Sequence, residues 1–286
     1  MTQSPTPENR RAKPGMRGIA IATAVVGGVV LAGLGASAAF AMVASSQPTD
    51  ARAVAGGPLV PVDVTGVTSL DLSVGVAELE LEFGDVPEAT LRTNGGQADR
   101  WSLTRDGDEL VVRAPKASSG FCVFGLCPTA RGQHVTATLT LPQELAGRGF
   151  DADIQIGVGS LRAAGTFGEL DVKVDAGEAF VTGKAEHLGF EIGAGTFSGE
   201  IEGAKTVEAE VSLGDLELVL RGDPPTDVTL EVSAGSIDLA VPAGTYDVTH
   251  GRTAGSIDNT LRTVPGAPNR ISAKVDLGDI SLRESR

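Results

Sequence analysis

The stretch Val207-Glu208-Ala209-Glu210-Val211-Ser212-Leu213-Gly214-Asp215-Leu216-Glu217-Leu218 decides the fold. Apolar residues alternate with polar ones up to Leu213, a two-residue step spans Gly214, and the alternation resumes. Period 2 is the signature of a strand with one buried face, and the break at glycine reads as a corner between two strands. Counting from Gly214, apolar residues stand at −7, −5, −3, −1, +2 and +4. The same pattern recurs around Ala77, Gly159, Gly177, Gly195, Gly235, Gly255 and Gly278. Ala, Val, Ile, Leu or Phe fills 44 of the 48 positions in the eight copies, too many for independent strands in unrelated places. From Gly159 onward the anchors are 18, 18, 19, 21, 20 and 23 residues apart. A steady period near 20 with two strands per unit predicts an all-β, parallel β-solenoid, each coil burying its apolar edge against its neighbours.

Composition agrees with tightly wound coils. The 286 residues include 38 glycines, which corners consume, and only 4% aromatics. The net charge of −14 argues against nucleic acid, whose backbone requires a basic footprint. Residues 1–17 run the other way, with Arg10, Arg11, Lys13 and Arg17 against Glu8, and form a basic tail expected in the cytoplasm. Residues 18–44 carry no charge and read as a transmembrane helix. The positive-inside bias then sets the C-terminal domain outside the cell. The alternative is a signal peptide cleaved near Ala41, giving a secreted protein. Ala20, Ala24, Gly28, Ala32 and Ala36 would line one helix face and suit a weak homodimer. Residues 45–58 read as a flexible stalk, 59–150 as a β-rich cap with a cysteine loop, and 151–286 as the solenoid repeats. Within the cap, Asp106-Gly107-Asp108 between two alternating runs signals a hairpin.

Chemistry-bearing motifs are few. The pairs Gly157-Val158-Gly159 and Gly193-Ala194-Gly195 lack the third glycine and following helix of a dinucleotide fingerprint. No cofactor is expected. Cys122 and Cys127 flank Phe121, Val123, Phe124 and Leu126 with no charge among them; outside the cytosol they are expected to form a disulfide loop. That apolar tip is the candidate partner-binding site. Two acidic columns arise when the copies are stacked: Glu191, Glu210 and Glu231 beyond Lys173, and Glu217, Asp238 and Asp258. The second column is a candidate calcium site, because stacked carboxylates repel unless a cation joins them. The seventh copy alone is degraded, with His250, Arg252 and Asn259 at apolar positions.

An N-terminal apolar segment, the Trp101 hairpin, the strand ending at Leu141-Pro142 and the reiterated units 156–161, 174–179, 211–216, 232–237 and 275–280 together resemble the adhesin-domain family of bacterial surface proteins. The likeness covers about 60–286. It implies a β-solenoid ectodomain and a non-catalytic, membrane-anchored interaction protein of the cell envelope. Its expected partner is an envelope component or a membrane protein. Two alternatives stay open: an envelope-stress sensor acting with a membrane partner, and a carbohydrate-active β-helix enzyme.

Overall fold

The computed structural model describes residues 61–95, 100–114 and 135–285. In chain order the elements are β1 (Ser69–Gly84), β2 (Thr90–Asn94), β3 (Ser102–Asp106), β4 (Glu109–Arg113), β5 (Thr136–Pro142), α1 (Gln143–Ala146), β6 (Phe150–Lys184), β7 (His187–Glu202), β8 (Thr206–Arg221), β9 (Asp227–Val241), β10 (Tyr246–Arg252), β11 (Ser256–Asn259) and β12 (Asn269–Glu284). They join in one mostly parallel sheet, ordered β10-β12-β9-β8-β7-β6-β1-β4-β3. Each strand pairs with its neighbour residue for residue across the anchor: Gly177 with Gly195, Gly195 with Gly214, Gly214 with Gly235. β6 is long because it winds through two coils, those of Gly159 and Gly177.

The glycine anchors form a ladder for a steric reason. A Cβ on Gly177, Gly195, Gly214 or Gly235 would lie 1.9–2.0 Å from the carbonyl oxygen of the anchor in the preceding coil. Gly235 also holds φ +136°, a conformation closed to side-chain-bearing residues. The first anchor is alanine because β1 lacks a neighbour there among the described residues. β4 pairs Ser69–Ser73 and β5 pairs Glu78–Gly84, leaving Val74–Ala77 without a strand on that side. β3 and β4 form an antiparallel hairpin closed by Gly107 at φ +64° and Asp108.

Inside the coils runs one continuous core of Leu, Ile, Val and Phe, including Leu72, Ile154, Val174, Ile192, Val211, Leu230 and Val275. Tyr246 closes one end, fully buried, its hydroxyl donating to the Pro242 carbonyl at 2.5 Å.

The sequence leads to three expectations that the structure corrects. Among the described residues no helix is long and apolar enough to cross a membrane. The helix they do include, α1, has four residues. The expected fold class with a transmembrane helix over 18–44, and the single-pass cell-membrane localisation built on it, are therefore unsupported; residues 18–44 lie outside the described residues. Second, coils do not all follow chain order. β12, the eighth copy, inserts between the sixth (β9) and the seventh (β10 and β11). Among the described residues the degraded seventh copy is thus the outermost coil, and its exposed His250 and Arg252 face no further coil there. A polar outer coil blunts the open edge of a repeat stack. Third, position −1 is not part of the core.

An exposed apolar ridge as the candidate functional site

Position −3 of each of the seven regular copies points inward, and so does position +2 beyond the anchor. Positions −2 and −1 therefore both turn out at the corner. Val76 is 47% exposed, Val158 52%, Leu213 65% and Leu277 61%, whereas Val74, Ile156, Val211 and Val275 at −3 are at most 2% exposed. Register places Val76 beside Val158, Ala176 beside Ala194, Ala194 beside Leu213, Leu213 beside Ala234, and Ala234 beside Leu277. The outermost coil adds exposed Ala254, whose N–H donates to the Asp276 carbonyl at 2.9 Å. The result is a continuous apolar ridge along the stack, about 30 Å long at the ~4.8 Å spacing of neighbouring strands. Isolated exposed aliphatics need no explanation, but a row repeated in every coil does.

Two kinds of charge surround this ridge. Away from the ridge, several acids are matched by bases from neighbouring coils. Lys173 bonds Glu191 at 2.5 Å, Lys205 bonds Glu186 at 2.5 Å, and Arg221 bonds Glu200 at 2.9 Å. Beside the ridge, at −2 and +1, stand Asp175 and Asp276, then Glu78, Glu178, Asp215 and Asp279, with no Lys or Arg at either position. Hydroxyls serve some of these: Ser236 donates to Asp215 at 2.5 Å, Thr253 to Asp276 at 3.0 Å, and Ser256 to Asp279. None of the six is in an ion pair among the described residues.

The calcium candidates are arranged differently from expectation. Glu217 and Asp238 are register neighbours, but Asp258 lies one strand further on, with Ser281 between. Arg283 of the inserted β12 reaches both neighbours, at 2.9 Å to Asp238 and 3.8 Å to Glu217, and supplies the positive charge a cation would have brought. Among the described residues no group of three or more His, Cys, Asp or Glu is arranged to hold a metal ion. The other column is likewise capped at both ends, by Lys173 and by Lys274, which approaches Glu231 at 3.4 Å. Cys122, Cys127, Phe121, Val123, Phe124 and Leu126 lie outside the described residues.

A third acidic column stands beside these two. Asp71, Asp153 and Asp171 share one position in three successive coils. Arg113 pairs with Asp71 through both guanidinium nitrogens. Asp171 lies over Gly189, where any Cβ would fall 2.0 Å from its Oδ1. Burial, reinforced by Glu169, Asp153, Glu208 and Asp151, pushes its carboxyl up to about 6. Burial also raises Asp153.

The ridge, too, was missed in the sequence, where −1 reads as core. A signal was present. Every −3 residue in the seven regular copies is Val or Ile, the branched shapes a buried strand favours, while −1 mixes Val, Ala and Leu.

No family model matches this chain, and no curated protein matches it. Solved structures do. One is a protein provisionally named for cell adhesion from Clostridium sporogenes, at 12% identity and TM-score 0.34, covering 84% of this chain and 100% of that one. Another, provisionally named for lipid binding, comes from Parabacteroides distasonis, at 15% identity and TM-score 0.39, covering 80% and 97%. A third, provisionally named as an adhesin, comes from Bacteroides fragilis, at 13% identity and TM-score 0.32, covering 78% and 95%. At these scores the likenesses carry no argument about what this chain binds.

Proposed function

We propose that this chain is an adhesin-like interaction protein that works by contact and not by catalysis, with the ridge as its contact face. The observation that carries the reading is the exposure of Val76, Val158, Leu213 and Leu277 at a position that is apolar in all eight copies. Core packing supplies no reason for that pattern, since the −3 and +2 residues already fill the inside of each regular corner. A partner that covers the ridge does supply one. The stacked coils hold the row rigid, so little ordering is required when a partner docks, and rigid presentation raises affinity. The partner class favoured is a component of the cell envelope.

The test is site-specific photo-crosslinking in the producing cells. A photoreactive residue at Leu213 should yield discrete adducts, and one at Glu210, on the flat face of the same coil, should not. Adducts at equal yield from both positions would overturn the ridge as the contact face.

A further inference from the structure

We infer that the ridge takes a cationic amphipathic polypeptide segment, with aliphatic side chains along the row and Lys or Arg over its two borders. This rests on the ridge being the contact face, and goes beyond that reading by naming the chemistry of the occupant. The surface acids differ in how far they are paired within the chain. Several away from the ridge meet bases across the coils: Glu191 with Lys173, Glu231 with Lys274, Asp227 with Arg270 at 2.5 Å. The six acids bordering the ridge have no such partner among the described residues, and no basic residue occupies positions −2 or +1 in any copy. Several acids away from the ridge are thus paired within the chain, while none of the six bordering it is in an ion pair among the described residues.

The borders are uneven in a way that fixes the occupant's charges. Glu78, Glu178, Asp215 and Asp279 line the +1 side, with Asp175 and Asp276 on the −2 side. A segment lying on the row would set bases against both, most of them on the +1 side. Such pairs at a partly covered border favour correct partners and faster encounter.

Other occupants fit less well. From −2 to +1 the strip spans about 10 Å of extended chain, so a second copy meeting it ridge to ridge would bury roughly 300 Å² a side. A stable interface buries about 800 Å² a side. Two copies would also bring six acids against six in a chain of net charge −14. Sugars favour aromatic platforms, and the row itself is aliphatic throughout.

The experiment is titration of the full chain with a 14-residue helical peptide of Leu and Lys only, followed by fluorescence anisotropy at two salt concentrations. Binding should weaken about tenfold or more in the double variant Leu213→Asn, Leu277→Asn. It should weaken about tenfold in the triple variant Glu178→Gln, Asp215→Asn, Asp279→Asn, and fall with added salt. The control triple variant Glu191→Gln, Glu210→Gln, Glu231→Gln, equal in charge removed, should change binding less than twofold. Equal loss in both triple variants would mean attraction to the acidic chain as a whole and would overturn the inference. So would equal binding of a Leu and Gln peptide, which would leave the ridge as an apolar contact face without the cationic preference. Failure of the Leu and Lys peptide to bind, or dimerisation through the ridge in light scattering, would overturn it too. Crosslinking at Leu213 alone would then still support the contact face.

Discussion

Gly235→Ala should be among the most damaging single-methyl additions this chain can receive. The new Cβ would stand 1.9 Å from the Gly214 carbonyl oxygen, and also close to Gly214 C and N at 2.9 Å. Relief requires the two coils to part by about 1 Å, since contacts under 3.0 Å do not occur. Parting weakens the ladder bonds on either side of the anchor, about 1 kcal/mol each. The backbone adds its own cost, because φ +136° is strained for alanine by about 1–3 kcal/mol. Together these come to about 4 kcal/mol, which for a domain of this size lowers Tm by about 8–16 °C. Gly251→Ala is the control, because a Cβ there meets nothing within 4 Å; its Tm should move by no more than about 2 °C. Thermal unfolding followed by far-ultraviolet circular dichroism separates the two. A Gly235→Ala protein melting within 2 °C of the parent would refute the steric ladder.

Two further substitutions test packing and charge. Val211 is 0% exposed, so Val211→Asp should cost at least about 4 kcal/mol in urea unfolding, whereas Glu210→Lys, on the outer face, should change stability by less than about 1 kcal/mol. The Asp171 carboxyl lies at about 6 in the folded chain against 3.8 ordinarily, so the native state holds an extra proton between those values. Stability contributed by that proton is present at low pH and lost as pH rises through about 6. Asp171→Asn should therefore stabilise the protein at pH 7–8 by about 1 kcal/mol, a figure reduced for solvent screening of a half-exposed group, and leave it unchanged near pH 3. A variant equally stabilised at both pH values would contradict this.

The period-2 alternation and the 18–23-residue spacing reveal the parallel register, because a buried strand face and a near-constant coil length each leave a repeating mark. They do not reveal where the phase breaks. Leu213 and Gly214 are adjacent, and placing the break at the glycine instead of before Leu213 turns an exposed ridge into apparent core. The insertion of β12 is hidden for another reason: parallel ladders between any two copies look alike in apolar pattern. Its mark is electrostatic. Arg270 and Lys274 match Asp227 and Glu231 at shared register positions and pair with them, and Arg283, opposite Ala240, reaches Asp238 two residues away. Those matches favour β9 as the neighbour of β12, and the copies are 43 residues apart, so reading consecutive copies alone passes over them. The unpaired acids of the ridge borders become visible only once this pairing is known.

The ridge exists only if the phase breaks at the corner, and cysteine labelling reads that phase directly. Leu213→Cys and Leu216→Cys are to be treated with a maleimide in the folded state and each labelled peptide quantified by mass spectrometry, which separates them from Cys122 and Cys127. Leu213 is 65% exposed and Leu216 1%, so the cysteine at 213 should label within minutes and the one at 216 only after denaturation. Protection of the cysteine at 213 to the same degree as at 216 would return position −1 to the core and remove the ridge.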